Sequence, residues 1–159
     1  MNYQIRKAIK DDFPEINKLF IEMENYIDKV RLSNNLESFK SSGYEDGYLD
    51  SFISDPNKYL YVATRDDLVV GYISFVVYKS DNYIYIDDFS ITENYKRKGI
   101  GNNFLKLVID KAKELKISKI RLHVFFYNTN ALSFYNKYNF KEIENNNNRL
   151  MMELDLEGN

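Results

Sequence analysis

Alternating apolar and polar positions predict a first strand over residues 3–9, with Tyr3, Ile5, Lys7 and Ile9 on one face. Asp12 followed by Glu15 has the spacing of a capping box. Ile16, Leu19, Phe20 and Met23 then repeat at helical intervals and predict a first helix. The pattern over 28–54 is weaker, and Leu36, Phe39, Tyr48, Leu49, Phe52 and Ile53 predict one or two short helices before the Asp55-Pro56-Asn57 turn. Three β-rich runs follow at 59–64, 69–78 and 83–91. The turns at Asp66-Asp67 and Ser80-Asp81-Asn82 make them an antiparallel meander.

Beyond residue 91 the period changes to that of a helix over about 101–115, whose apolar stripe is Leu105, Val108, Ala112 and Leu115. A strand at 120–127 and a short helix at 130–138 come next. A closing antiparallel pair, 140–143 and 150–156, turns through Asn145, Asn146, Asn147 and Asn148. The order is β-α-α-β-β-β-α-β-α-β-β, a mixed α/β (α+β) chain. The strand–helix–strand unit 83–91, 101–115 and 120–127 is a crossover, so its two strands are expected to run parallel.

With 159 residues the chain has enough material for one substantial core, and one domain spanning 1–159 is expected. Cysteine is absent and there is a single His, so disulfides, thiolate metal sites and cysteine nucleophiles are excluded, and no metal is expected. A net charge of -2 supplies no general attraction to nucleic acid. No apolar run is long enough for a membrane span, and the first residues lack the apolar middle of a signal peptide. A cytoplasmic location is the expectation. The 14 Tyr and 11 Phe, without a basic field around them, read as core and pocket walls, and could also supply a homodimer interface.

One segment departs from this even charge balance. After Ile91 the chain gathers Lys96, Arg97 and Lys98, places glycines at 99 and 101, and enters a helix through Ile100 and Asn102. Outward N–H groups at such a turn, together with the positive end of the helix, are suited to a pyrophosphate. Glycine there permits close approach of the backbone and left-handed φ values. Neither the dinucleotide fingerprint nor the nucleotide-hydrolase loop is matched.

Lys96, Gly99 and Gly101 resemble the central motif of the GNAT superfamily of acyl-CoA-dependent N-acyltransferases, with Lys in place of the usual Gln or Arg. A second segment is similar to the family's later motif. Asn128, Ala131, Tyr135 and Phe140 match it, while Asn139 stands where Gly is usual, a replacement that still tolerates left-handed geometry. The resemblance implies a mostly antiparallel sheet of about seven strands with a central splayed parallel pair, flanked by about four helices. It implies acetyl-CoA as acyl donor, its pantetheine arm paired with backbone near Phe89, Ser90 and Ile91. The pyrophosphate would lie on backbone groups near 97–102, with charge from Lys96, Arg97 and Lys98, and Asn128 would hydrogen-bond the pantetheine or its neighbourhood.

The same resemblance makes Tyr135 the acid that protonates the leaving thiolate. Asp87 and Asp88 would assist by binding the acceptor ammonium or taking its proton. Consecutive strand residues face opposite sides, so the two acids are not expected to face one site unless a bulge intervenes. His123 is expected in packing or in support of the site. The acceptor is expected to be a primary amine, small or peptide-borne. Glu22, Glu24, Asp28, Glu37, Glu45 and Asp46 would favour a cation, or would simply solvate helices. A non-catalytic acyl-CoA-binding module on the same fold is the alternative.

Overall fold

The computed structural model describes residues 2–38 and 41–157. The three β-rich runs form β2 (Lys58–Arg65), β3 (Leu68–Tyr78) and β4 (Tyr83–Ile91), flanked by β1 (Gln4–Lys7) and followed by β5 (Lys119–Phe125), β6 (Lys141–Asn146) and β7 (Arg149–Asp155). They make one seven-stranded sheet in the order β1-β2-β3-β4-β5-β7-β6. Every pairing is antiparallel except β4 with β5, the crossover pair. The β2–β3 hairpin turns on Asp66 and Asp67, whose φ values of 51° and 64° are those of a type I′ turn.

Among the described residues, four α-helices cover the sheet: α1 (Phe13–Ser33), α2 (Tyr48–Ser54), α3 (Ile100–Glu114) and α4 (Thr129–Lys137). Strand alternation divides the core in two. Leu60, Val62 and Tyr72 pack on Ile16 and Leu19 of α1 and Leu49 and Phe52 of α2. Ile73, Phe75, Ile84 and Ile120 point the other way, onto Phe104, Leu105 and Val108 of α3. Among the described residues no helix is long and apolar enough to cross a membrane.

Three local expectations are corrected. Asp12 does not cap α1 with its side chain. Its carboxylate is taken by Arg6, at 2.8 and 2.9 Å, and by the Ile9 N–H at 2.8 Å. The first helix also runs to Ser33, well past Met23, into the segment where one or two short helices are expected; the one α-helix that follows there among the described residues is α2. Phe39, expected in a short helix there, lies outside the described residues. Finally, Asn145 and Asn146 belong to β6 and pair with Leu150 and Arg149, which leaves Asn147 (φ 58°) and Asn148 to turn the chain.

Candidate active site

The parallel strands β4 and β5 pair only at Tyr83–Lys119, Ile84–Ile120 and Tyr85–Arg121. Beyond that point β4 continues against β3 as far as Ile91, and β5 against β7 as far as Phe125, so the two diverge. Among the described residues, the edge of β4 facing the gap has no strand partner over 86–91. A cavity of about 600 Å³ opens at the divergence. Its walls are residues 85–89 of β4 and 122–125 of β5, with Asn128, Ala131 and Tyr135 at one end. Phe20, Met23, Glu24 and Ile27 of α1, together with Tyr44 and Tyr48, close the other.

The acids reach this cavity by a break in strand alternation. Ser74 of β3 pairs with Asp88 while the next residue, Phe75, pairs with Ile86, so Asp87 is an extra residue in β4. The bulge reverses the phase of the strand. Ile84 and Ile86 point to the α3 side before it, and Phe89 and Ile91 do so after it. Both Asp87 and Asp88 therefore line the cavity, contrary to plain alternation.

Each acid accepts a hydrogen bond from a tyrosine hydroxyl, Asp87 from Tyr48 and Asp88 from Tyr44. The Asp88 N–H donates to Ser74 Oγ at 3.1 Å. Burial pushes the Asp88 carboxyl up to about 7, aided by the charges of Asp87 and Glu24 and opposed by the Tyr44 hydrogen bond and Arg149. Such a group takes up a proton readily near neutrality. Tyr135 is buried, and burial and the charge of Asp88 both raise its phenol, keeping it protonated and able to donate. His123 Nδ1 lies 2.5 Å from the Tyr85 hydroxyl; burial, then Arg149, lower its pKa and disfavour the charged ring. Its side of β5 lines the cavity.

The basic turn presents a backbone surface. Arg97 and Gly99 both take left-handed conformations, at φ 63° and 87°, and Gly99 is the N-cap of α3. The first-turn N–H groups of α3 lack intrahelical acceptors and are available to an anion. Gly101, by contrast, has no positive φ, so the left-handed freedom expected at both glycines is used only at Gly99. A Cβ at Gly101 would meet Phe89, Ile91 and Phe134 at 3.4 to 3.6 Å, ordinary contact. Among the side chains, Lys96 pairs with Glu93 at 3.0 Å and lies over the Tyr26 ring, and Asn102 accepts from the Tyr138 hydroxyl.

Ile100 is turned inward and fully buried, so only its backbone can face a ligand. Phe89 and Ile91 likewise pack on the core, and Ser90 pairs with Tyr72 across β3. Asn128 caps α4, its Oδ1 accepting from the Ala131 N–H at 3.3 Å. Asn139 has φ 69°, the left-handed geometry for which Asn can replace Gly. The unpartnered β4 edge, the outward N–H groups and the left-handed Gly99 together fit an elongated ligand ending in an anion.

Sequence reasoning missed Tyr44, Tyr48 and Tyr85 as cavity residues. Tyr44 and Tyr48 are separated from the acids by about forty positions, and no local motif carries them. Of the acids noted in the 22–46 region, Glu24 and Glu45 line the cavity. Glu24 accepts from Ser41 Oγ at 2.5 Å, and Asp28 accepts from Ser38.

Comparison with known proteins adds an independent line. Thialysine N-epsilon-acetyltransferase of Bos taurus is 27% identical over 143 residues, covering 82% of this chain and 79% of that protein. Spermine/spermidine N(1)-acetyltransferase of Bacillus subtilis is 33% identical over 85 residues, covering 49% of this chain and 56% of its own length. PaiA N-acetyltransferase from Thermoplasma acidophilum, solved in complex with coenzyme A, shares the fold. Its TM-score is 0.73 at 20% identity, covering 98% of this chain and 99% of that one. Residues 20–140, more than half of the sequence, match the acetyltransferase (GNAT) family, and the chain belongs to that family.

Proposed function

We propose that the protein transfers an acetyl group from acetyl-CoA directly to a primary amine within a ternary complex. The observation that carries this reading is the meeting of Asp88 from β4 and Tyr135 from α4 in one cavity at the splayed strands. One is a carboxyl with a pKa of about 7, and the other is a phenol held protonated. Amine acetylation needs both a proton acceptor for the incoming ammonium and a proton donor for the departing thiolate.

In this reading the β4 edge at Phe89, Ser90 and Ile91 holds the pantetheine arm. Backbone groups over Arg97, Lys98, Gly99, Ile100, Gly101 and Asn102, with charge from Lys96, hold the pyrophosphate. Asn128 contributes its amide at the cavity end. Asp87 attracts the acceptor cation, and Asp88 takes its proton. The freed nitrogen forms a bond to the acetyl carbon as the C–S bond breaks, Tyr135 gives its proton to sulfur, and the second proton that the nitrogen sheds as the amide forms restores the phenol. Both relatives are named for acetylating amines, which supports an amine acceptor. The acids lining the cavity favour a cationic one.

The test is thiol release from acetyl-CoA by the purified protein across polyamines, basic amino acids and peptide N-termini. Amine-dependent release with an acetylated product is expected. Saturable acetyl-CoA binding without release for any amine would reject transfer in favour of a binding module.

A further inference from the structure

Tyr44 belongs to no motif, yet it is tied from four directions. Its N–H donates to Asn17 Oδ1 at 2.8 Å, and its ring stacks on Phe20 (centroids 3.9 Å) and Tyr48 (4.9 Å). Its hydroxyl donates to Asp88 Oδ2 and lies 2.9 Å from the Tyr72 hydroxyl. The preceding Gly43, at φ +90°, is pressed so closely on α1 that a Cβ would come within 2.5 Å of the Asn17 side chain. These contacts tie Tyr44 to α1, α2, β3 and β4.

A phenol has a single proton, and an ionised carboxylate only accepts. With Asp88 ionised, Tyr44 gives its proton to Asp88 and must accept one from Tyr72. Tyr72 is fully buried on β3, the strand paired with β4, so the far end of this relay is anchored in the sheet.

We propose that Tyr44 is a positioning residue that, backed by Tyr72, holds the Asp88 carboxylate in the orientation that receives the proton of the acceptor ammonium. The inference rests on the reading of Asp88 as the base. When the ammonium N–H bond breaks, the new O–H bond forms on the Asp88 carboxyl oxygen that Tyr44 does not hold, while Oδ2 goes on accepting from Tyr44 and Tyr44 from Tyr72.

The other charged and titratable groups around Asp88 act at longer range. Asp87 and Tyr85 lie on its own strand, Glu24 on α1 and Tyr48 on α2. His123 lines the cavity from β5, Tyr135 from α4 and Arg149 from β7. Among the described residues, Tyr44 is the hydrogen-bond donor to the Asp88 carboxylate. Without it, burial and the charges of Asp87 and Glu24 still oppose ionisation, and Arg149 favours it.

Tyr44→Phe keeps the ring stacks and removes the donor. The carboxyl titration of Asp88, followed by NMR in protein labelled with ¹³C-aspartate and assigned with Asp88→Asn, needs no acceptor. Its midpoint is expected to rise by about one pH unit, the worth of one hydrogen bond to a charged group. The acid limb of kcat/KM should move with it, while KM for acetyl-CoA stays unchanged. Tyr72→Phe cuts the relay one bond further away, should shift the midpoint the same way by less, and serves if Tyr44→Phe does not fold. An unmoved midpoint in the folded variants overturns the role of Tyr44 alone. Turnover of Asp88→Asn within twofold of wild type overturns the base reading and this proposal together.

Discussion

Asp87 and Asp88 are consecutive in the chain, yet both carboxylates open on the same cavity, because the β-bulge opposite Ser74 cancels the alternation of β4. The bulge sits where β4 loses β5 as a neighbour, so one irregularity coincides with both the gap and the acids beside it. The Asp88 carboxyl is moved from its ordinary value of 3.8 to about 7, chiefly by burial.

That shift has a sign. A carboxyl whose folded pKa is raised contributes stability that is fully present below its unfolded value and is lost as pH rises through about 7. Asp88→Asn removes the ionisation. At pH 8 the variant should be more stable than wild type by on the order of a few kcal/mol, with the difference vanishing near pH 4. Asp12 is the opposite case, lowered chiefly by its hydrogen bond from Arg6. Its contribution is present above the unfolded carboxyl value and is lost as pH falls through the folded one. Asp12→Asn should cost about 1 kcal/mol at neutral pH, a small figure because Arg6 is partly solvated. Denaturant midpoints across pH check both signs.

The phosphate-binding reading separates the two glycines. Gly99→Ala meets no neighbouring atom but must hold φ near 87°, a conformation costly to a residue with a Cβ. Acetyl-CoA affinity should fall about tenfold as the turn relaxes. Gly101→Ala fits its surroundings and should keep the fold, with a smaller loss of affinity. Higher salt should weaken binding, more through Arg97 and Lys98 than through Lys96, which is already paired with Glu93. Calorimetric titration measures these effects, and an unchanged dissociation constant for Gly99→Ala would remove the turn from the cofactor site.

Much of this was legible because it is local. Turn residues and apolar spacing marked β2, β3, β4, α3, β5 and α4, and the crossover rule made β4 and β5 parallel. The two motif segments pointed to the splay, with Tyr135 beside it. What escaped depends on contacts distant in sequence or on irregular backbone. Nothing in the Asp87-Asp88 dipeptide announces a bulge, which arises from pairing with β3. Met23, Ile27 and Val30 do continue the helical spacing of α1, but Met23 and Ile27 line the cavity instead of filling the core, so the stripe fades. Asp12 had the spacing of a cap, and Arg6 outcompeted the helix N–H groups for its carboxylate.

Tyr135→Phe deletes one hydroxyl while keeping the ring that packs edge-on against Phe134 and Phe140, both at 5.4 Å. The fold should survive. If the phenol protonates the leaving thiolate, the rate of acetyl transfer should fall by about 10²–10⁴-fold with little change in acetyl-CoA affinity. A pre-steady-state rate within twofold of wild type would return Tyr135 to the role of a packed aromatic.

In the proposed mechanism the cavity at the splayed strands performs acetyl transfer with Asp88 as its base. The most direct measurement is the single-turnover rate of acetyl transfer to a good amine acceptor, recorded against pH for wild type and Asp88→Asn. For wild type the rate should rise as pH passes through about 7, the Asp88 value. In Asp88→Asn the rate should be about 10²–10⁴-fold lower, and the rise near pH 7 should be gone. Absence of transfer at every pH, or a profile that is the same in both proteins, would contradict the account.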